Sequence, residues 1–347
     1  MRIVARITIL AFFTLPAAPL AALAQESRPR EHFQNADVQY DWVTNSQGQK
    51  LRTFITRPKN ISGKVPVIFF VGWLSCDSME YPDPANRDGF GMLLTSLIER
   101  SGFATLRMDK PGVGESEGVC EKADFESEIS GWRALFKSVP KYDFADADRV
   151  FVVGLSNGGG FSPLAVEGRS VRGFVSAGSW GRTWYEHMLE LERRRLTSEK
   201  KPPAEIGRAM QAYSEFYDLY LNNGMTPGAI LSRHPDWKPL WDDSPDGQYG
   251  RPAAFYQQLQ KLNLGAAWQN VDAPVLVIHG SADEVMSRAD SETIAQIVNA
   301  THPGRARYVE VPGMTHGFTV EKKFRSELVA MILDWMKRAL ATGSGAG

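Results

Sequence analysis

Three observations predict an α/β fold built on a mostly parallel, doubly wound sheet. Short β-branched runs alternate with helical patterns along most of the chain, as right-handed crossovers between parallel strands require. Several runs are apolar at nearly every position, Val65 to Val71 and Val150 to Val153 among them, the pattern of strands covered on both faces. The alternation breaks once, at Gly181, and resumes only near residue 271. A chain of 347 residues with 43% apolar and 23% charged residues suits one large globular core carrying an insertion.

Taken in order, the chain opens with Arg2 and Arg6 around the start of an apolar run, Ile7 to Leu15, too short to span a bilayer. Ala22-Leu23-Ala24 follows as a small-x-small cleavage site, so residues 1–24 read as a secretory signal peptide. The mature protein is expected to be exported, periplasmic or secreted, with no stable membrane span. Removing Arg2 and Arg6 leaves 37 basic against 40 acidic residues, a net charge of −3. With no basic block interleaved with aromatics, nothing points to a nucleic-acid partner. Export also bears on Cys76 and Cys120, both in predicted loops. An even cysteine count in an oxidising compartment favours a disulfide between them.

Val38 to Val43 and Leu51 to Thr56 alternate as strands around a turn at Asn45-Ser46-Gln47-Gly48. Val65 to Val71 is a central strand ending in Gly72-Trp73-Leu74-Ser75-Cys76. Gly89 to Arg100 has helical spacing, stopped by Gly102, and Phe103 to Met108 is the next strand. The loop Asp109-Lys110-Pro111-Gly112-Val113-Gly114-Glu115-Ser116 is glycine-rich, but its spacing is not G-x-G-x-x-G and its acidic residues are poor company for a pyrophosphate. An amphipathic helix, Phe125 to Val139, precedes the hub strand Arg149 to Val153, and Val171 to Ala177 is a further strand.

The expected layout is a core from 25 to 180, a helical cap or lid from 181 to 270, and the rest of the core from 271 to 342. In the insertion a helix is expected near Ala204 to Leu221, another starts at Thr226-Pro227, and Asp236 to Gly250 reads as loop. Trp184, Tyr185, Trp237, Trp241, Phe255, Tyr256 and Trp268 are expected mostly to form the insertion's own core, with a minority lining a pocket. Arg193-Arg194-Arg195 reads as a solvated helix face. Val275 to Ile278, a helix near Ser291 to Asn299, the strand Tyr308 to Val311 and a helix from Phe324 to Leu340 complete the chain.

The hub strand runs into Gly154-Leu155-Ser156-Asn157-Gly158, a G-x-S-x-G turn, and a helix is expected from Gly159 to Glu167. A serine at the tip of a strand-to-helix turn is strained, and its crowded neighbours must lack side chains. The helix N-terminus aims free amides at the site, so the amide of Asn157 can stabilise an oxyanion. A serine nucleophile needs a base and an orienting carboxylate. His316 lies just past the strand Tyr308 to Val311 between flexible glycines, and Asp283 just past the strand ending at Ile278. The order Ser156, Asp283, His316 is the order this architecture uses. Glu284 is an alternative acid, Asp109 a remoter one, and His279 is read as structural. No H-E-x-x-H or C-x-x-C pattern is present, so neither a metal nor a cofactor is expected.

On these motifs the chain resembles α/β-hydrolase-fold serine hydrolases over nearly the whole mature sequence. Within that superfamily it resembles exported bacterial carboxylesterases, with dienelactone-hydrolase-like and serine-aminopeptidase-like kin. The resemblance implies Ser156 as nucleophile, His316 as general base and acid, and Asp283 as its orienter. It also implies a second oxyanion donor after Val71, best matched by Trp73, with Leu74 beside it. Val71-Gly72 stands where that family commonly has His-Gly. A serine at the turn argues against chemistry that attacks through a carboxylate. The expected activity is ester hydrolysis on a small molecule. A peptidase with the same triad and a non-catalytic binding protein on this fold are the other two readings, and oligomeric state is not legible.

Overall fold

Neighbouring strand ends, level with one another at one edge of a central sheet, position everything that follows. In a computed structural model describing residues 29–342, the first strands are β1 (Ala36–Thr44) and β2 (Lys50–Pro58), paired antiparallel across the predicted turn. Then come β3 (Val65–Val71), α1 (Gly89–Ser101), β4 (Ala104–Met108), α2 (Phe125–Lys137), β5 (Ala145–Leu155), α3 (Asn157–Ala165) and β6 (Gly173–Ala177). The predicted signal peptide, residues 1–24, lies outside the described residues.

The insertion carries α4 (Trp184–Ser198), α5 (Pro203–Tyr217), α6 (Pro227–Arg233), a two-residue pair β7 (Gly247–Gln248) and β8 (Arg251–Pro252), α7 (Ala253–Gln260) and α8 (Leu264–Gln269). The core resumes with β9 (Val275–Gly280), α9 (Arg288–Thr301), β10 (Ala306–Val311) and α10 (Ser326–Thr342). From Glu31 onward these elements make one compact unit, insertion included.

The eight-stranded sheet has the order β1-β2-β4-β3-β5-β6-β9-β10, and every pairing from β4 to β10 is parallel. Val71 lies opposite Gly154, Leu155 opposite Ala177, and Ala177 opposite Ile278. The loops after β3, β5, β6 and β9 therefore emerge side by side. This is the end of a doubly wound sheet at which ligands bind.

The strands form where the sequence is apolar on both faces. Phe69 is fully buried and meets Trp132 and Phe136 of α2 edge-on, at 6.4 and 5.3 Å between ring centres. Burial of such a side chain contributes about 1.5–3 kcal/mol. The helices start on capping side chains: Asp88 accepts from the amide of Gly91, and Asp124 from that of Ser127. Gly102 ends α1 with φ of 68°, the left-handed conformation expected of a stop signal.

Most of the insertion's aromatic residues pack on one another, Trp184 on Tyr256 at 5.0 Å and Phe216 on Trp241 at 5.0 Å. Trp268 departs from that pattern. Its indole donates to the carbonyl of Gly160 at 2.8 Å and its ring meets Phe174 on β6, so it belongs to the sheet core.

Candidate active site

Leu155 ends the hub strand and Ser156 turns the chain with φ of 54°, a left-handed value that costs a non-glycine residue roughly 1–3 kcal/mol. Its amide is pinned to the carbonyl of Ala177 at 2.9 Å. A Cβ on Gly158 would sit 2.1 Å from the carbonyl oxygen of Gly72 and 2.4 Å from that of Val71, so only glycine lets the turn approach the loop after β3. The helix begins at Asn157, two residues before the predicted start. The run Gly158-Gly159-Gly160 has poor helix propensity and hides the boundary.

Three predicted residues meet in a line. Ser156 Oγ lies 3.0 Å from His316 Nε2, and His316 Nδ1 lies 3.0 Å from Asp283 Oδ2. Asp283 is buried, and its other oxygen accepts from the amides of Val285 and Met286 at 2.9 and 2.8 Å. Glu284 points to solvent, so the alternative acid does not touch His316. The His316 loop rests on the first turn of α1. A Cβ on Gly89 would stand 1.7 Å from the carbonyl oxygen of Gly317, and Phe90 packs between Trp73 and His316 at 5.0 and 5.7 Å. His279 is buried elsewhere, held by the Tyr308 hydroxyl at 3.2 Å and the Met286 carbonyl at 3.3 Å.

Arg193 and Arg195 are exposed, but Arg194 corrects the reading of that triplet as a solvated face. It donates to the carbonyls of Asp283, at 3.2 Å, and Val285, at 2.7 Å, and so ties α4 to the loop that presents the acid.

The loop after β3 is held from behind. Buried Lys110 donates to the carbonyl of Trp73 at 2.5 Å and to that of Ser75. Peptide planarity then turns the amide of Leu74 away from Lys110. Burial pushes the Lys110 ammonium down to about 8, against the pull of Glu128. The same loop is stapled by a disulfide from Cys76 to Cys120, with Cα atoms 6.0 Å apart, and buried Arg251 of β8 reaches both Cys120 Sγ, at 2.7 Å, and the Glu128 carboxylate. Closing a loop of 44 residues is worth on the order of 4 kcal/mol in the chain-entropy model. The Cys76→Ala/Cys120→Ala protein is expected to lose about that much in urea unfolding. An unchanged midpoint and slope would show that the bond carries no stability.

Asp109 is not near His316. Its carboxylate accepts from Ser78 Oγ at 2.8 and 2.9 Å and from the amide of Met79 at 2.7 Å. Burial pushes its carboxyl up to about 6 in spite of those bonds. A folded-state value above the unfolded one means stability that is full below about pH 4 and lost as pH rises through about 6. Relative to Asp109→Asn, the wild type is expected to lose about 2 kcal/mol of unfolding free energy between pH 4 and pH 7. Urea titrations at four pH values measure this, and parallel curves for the two proteins would refute it. Around it, Ser116 Oγ donates to the Asp109 carbonyl at 2.9 Å and Arg52 pairs with Glu115 at 2.9 Å, so the glycine-rich loop is a structural brace.

Ser156, Asn157 and His316 open on a pocket of about 320 Å³, walled by Trp73, Leu74, Phe90, Trp184, Leu191 and Tyr249. Among the described residues, no carboxylate, ammonium or guanidinium lines it. A larger depression of about 650 Å³, near Arg133, Arg172 and Arg305, holds none of the predicted site residues. Its size alone gives it no chemistry. Among the described residues, no cluster of three or more His, Cys, Asp or Glu side chains could hold a metal, and no helix is long and apolar enough to cross a membrane.

The sequence profile of a family described as serine aminopeptidase, S33, matches residues 92–323. By sequence, no curated protein matches the chain. Among solved structures it is similar to Est1E from Butyrivibrio proteoclasticus with ferulic acid bound, at 18% identity and a TM-score of 0.58, over 87% of this chain and 99% of that one. It is also similar to acetyl xylan esterase 1 from Thermoanaerobacterium, at 17% identity and a TM-score of 0.52, over 89% and 85%. A proline iminopeptidase from Mycobacterium smegmatis aligns at 16% identity and a TM-score of 0.54, over 88% and 100%. At such identities the likeness is one of fold.

Proposed function

Because this chain belongs to the serine aminopeptidase S33 family and is a serine hydrolase on the α/β-hydrolase fold, we propose that it cleaves carboxylic esters through an acyl-enzyme on Ser156. The observation that carries this reading is the hydrogen-bonded line from Ser156 through His316 to Asp283, with both links at 3.0 Å. Ser156 Oγ attacks the ester carbonyl carbon while His316 Nε2 takes its proton. The oxyanion is held by the amide of Asn157 and by an amide of the Trp73–Leu74 segment. His316 returns the proton to the leaving alkoxide, the carbon–oxygen bond breaks, and the alcohol departs. His316 then deprotonates a water, which attacks the acyl carbon; the bond to Ser156 Oγ breaks, the proton passes from His316 back to Oγ, and the acid leaves.

The lining of the pocket favours esters over peptides. A peptidase that trims free N-termini is best served by a carboxylate to hold the ammonium group, and among the described residues none lines this pocket. A volume of about 320 Å³ with aromatic walls suits an acyl group of about one ring. The test is hydrolysis of p-nitrophenyl esters from acetyl to octanoyl beside an aminoacyl-anilide. Ester turnover without anilide turnover is expected. Anilide cleavage with silence on the esters would replace this reading with the peptidase.

Export is part of the same proposal. It rests on the leader pattern of residues 1–24 and on the pairing of Cys76 with Cys120, a bond that persists in oxidising compartments. The exported protein is expected to begin at Gln25 by N-terminal sequencing. A cytosolic product beginning at Met1 would refute it.

A further inference from the structure

The pocket carries a second imidazole that the proposed acyl transfer does not use. Trp184, His187 and Leu191 stand at i, i+3 and i+7 on α4 and present one face of that helix to the pocket. His187 is the polar member of this face and is only 1% exposed. Its Nδ1 lies 3.2 Å from Asp290 Oδ2, a separation close to that between His316 and Asp283.

Asp290 does not need His187 for its own satisfaction. One of its oxygens accepts from Arg182 at 2.8 and 3.0 Å, and the other accepts from the amide of Ser287 at 2.8 Å in a capping box that starts α9. Burial works against the ionised form, yet the contacts with His187, Ser287 and Arg182 hold this carboxyl below the usual carboxylate range. An ionised carboxylate only accepts, so Nδ1–H donates to it, and in the neutral imidazole the lone pair then sits on Nε2. Among the described residues no protein group bonds to that nitrogen. An imidazole fixed by a buried carboxylate, with its second nitrogen unpartnered beside an apolar cavity, is an acceptor waiting for a donor.

We infer that His187 Nε2 accepts a hydrogen bond from a hydroxyl on the bound ester, so that the pocket selects hydroxylated aromatic acyl groups over analogues lacking that hydroxyl. This rests on the ester-hydrolase reading above. The ligand class follows from the remaining walls. Among the described residues a cationic donor would find no carboxylate in the lining and an anion no ammonium or guanidinium, which leaves a neutral donor, and a hydroxyl is the compact one an aryl acyl group carries. Trp73, Phe90, Trp184 and Tyr249 offer the ring surfaces against which an aryl group packs. Such a site discriminates because the analogue without the hydroxyl displaces water from the pocket and leaves that nitrogen unpaired.

The experiment compares kcat/KM for methyl 3-phenylpropanoate with its 2-, 3- and 4-hydroxyphenyl counterparts and their methyl ethers, in the wild type and in His187→Phe. One hydroxyl position is expected to raise kcat/KM about 10-fold or more over the parent. Its methyl ether, which cannot donate, should show no gain, and His187→Phe should bring the ratio to about one. Equal values across the wild-type panel, or a preference that survives in a folded His187→Phe, would overturn the inference. Calorimetry of the free acids with Ser156→Ala reads the same site without turnover, and tighter binding of a hydroxylated acid than of the parent is expected. Should no ester be cleaved, the hydrolase reading fails on its own and calorimetry decides this one. Should His187→Phe not fold, the methyl ethers and calorimetry decide it, and equal binding of the acids would end it.

Discussion

Ser156→Ala is expected to lower kcat on p-nitrophenyl esters by about 10⁶-fold while leaving the fold intact. The size follows from the role. Without Oγ there is no group to form the acyl-enzyme, and His316 Nε2 has nothing to deprotonate at 3.0 Å. Rate over water should not vanish, because the amides of Asn157 and the Trp73–Leu74 segment still stabilise an oxyanion on a substrate attacked directly by water. Stability should change little. Alanine keeps the Cβ and the same left-handed φ of 54°, so the strain of the turn is neither added nor relieved. Steady-state kinetics and a fluorophosphonate label read both halves of the prediction. A variant that turns over above a tenth of the wild-type rate, or a label that maps to another residue, would remove Ser156 from the mechanism.

What the sequence made legible was local. The strand Arg149 to Val153, the turn at Ser156 and the stop at Gly102 depend on neighbours within a few positions, where β-branching and glycine act directly. Chain order and strand-end placement then brought Asp283 and His316 to the same edge of the sheet. The parts that escaped depend on distant partners. Lys110 sits in a glycine-rich loop that reads as structural, and its contact with Trp73 follows from β3 lying beside β4 in the sheet. His187 gains its meaning from Asp290, 103 residues away. Arg194 looked solvated because its targets are backbone carbonyls in another loop, and carbonyls leave no trace in a sequence. One local signal was available and unused. Thr183 and Glu186 form a capping box, T-x-x-E, which marks the start of α4 and places Trp184, His187 and Leu191 on one face.

Asp283→Asn is expected to cost about 10⁴ in kcat, about 5.5 kcal/mol of barrier, through a change of tautomer. The two oxygens of Asp283 are not equivalent. Oδ1 accepts from the amides of Val285 and Met286 at 2.9 and 2.8 Å, whereas Oδ2 faces His316 Nδ1 at 3.0 Å. In the asparagine the two backbone donors hold the amide oxygen at the first position and drive the NH₂ group toward His316. Nδ1 must then accept, the ring proton moves to Nε2, and that nitrogen can no longer take the proton of Ser156. Shape and burial are conserved, and Arg194 still holds the backbone of residues 283 and 285, so the melting temperature should stay near that of the wild type. Glu284→Gln serves as the control, because its side chain is exposed, and it should stay within about 2-fold of wild type. Near-normal turnover in Asp283→Asn alongside a collapse in Glu284→Gln would transfer the acid's role to the neighbouring residue. A fall in both thermal stability and kcat of Asp283→Asn would instead mark the carboxylate as a support of the loop that presents it.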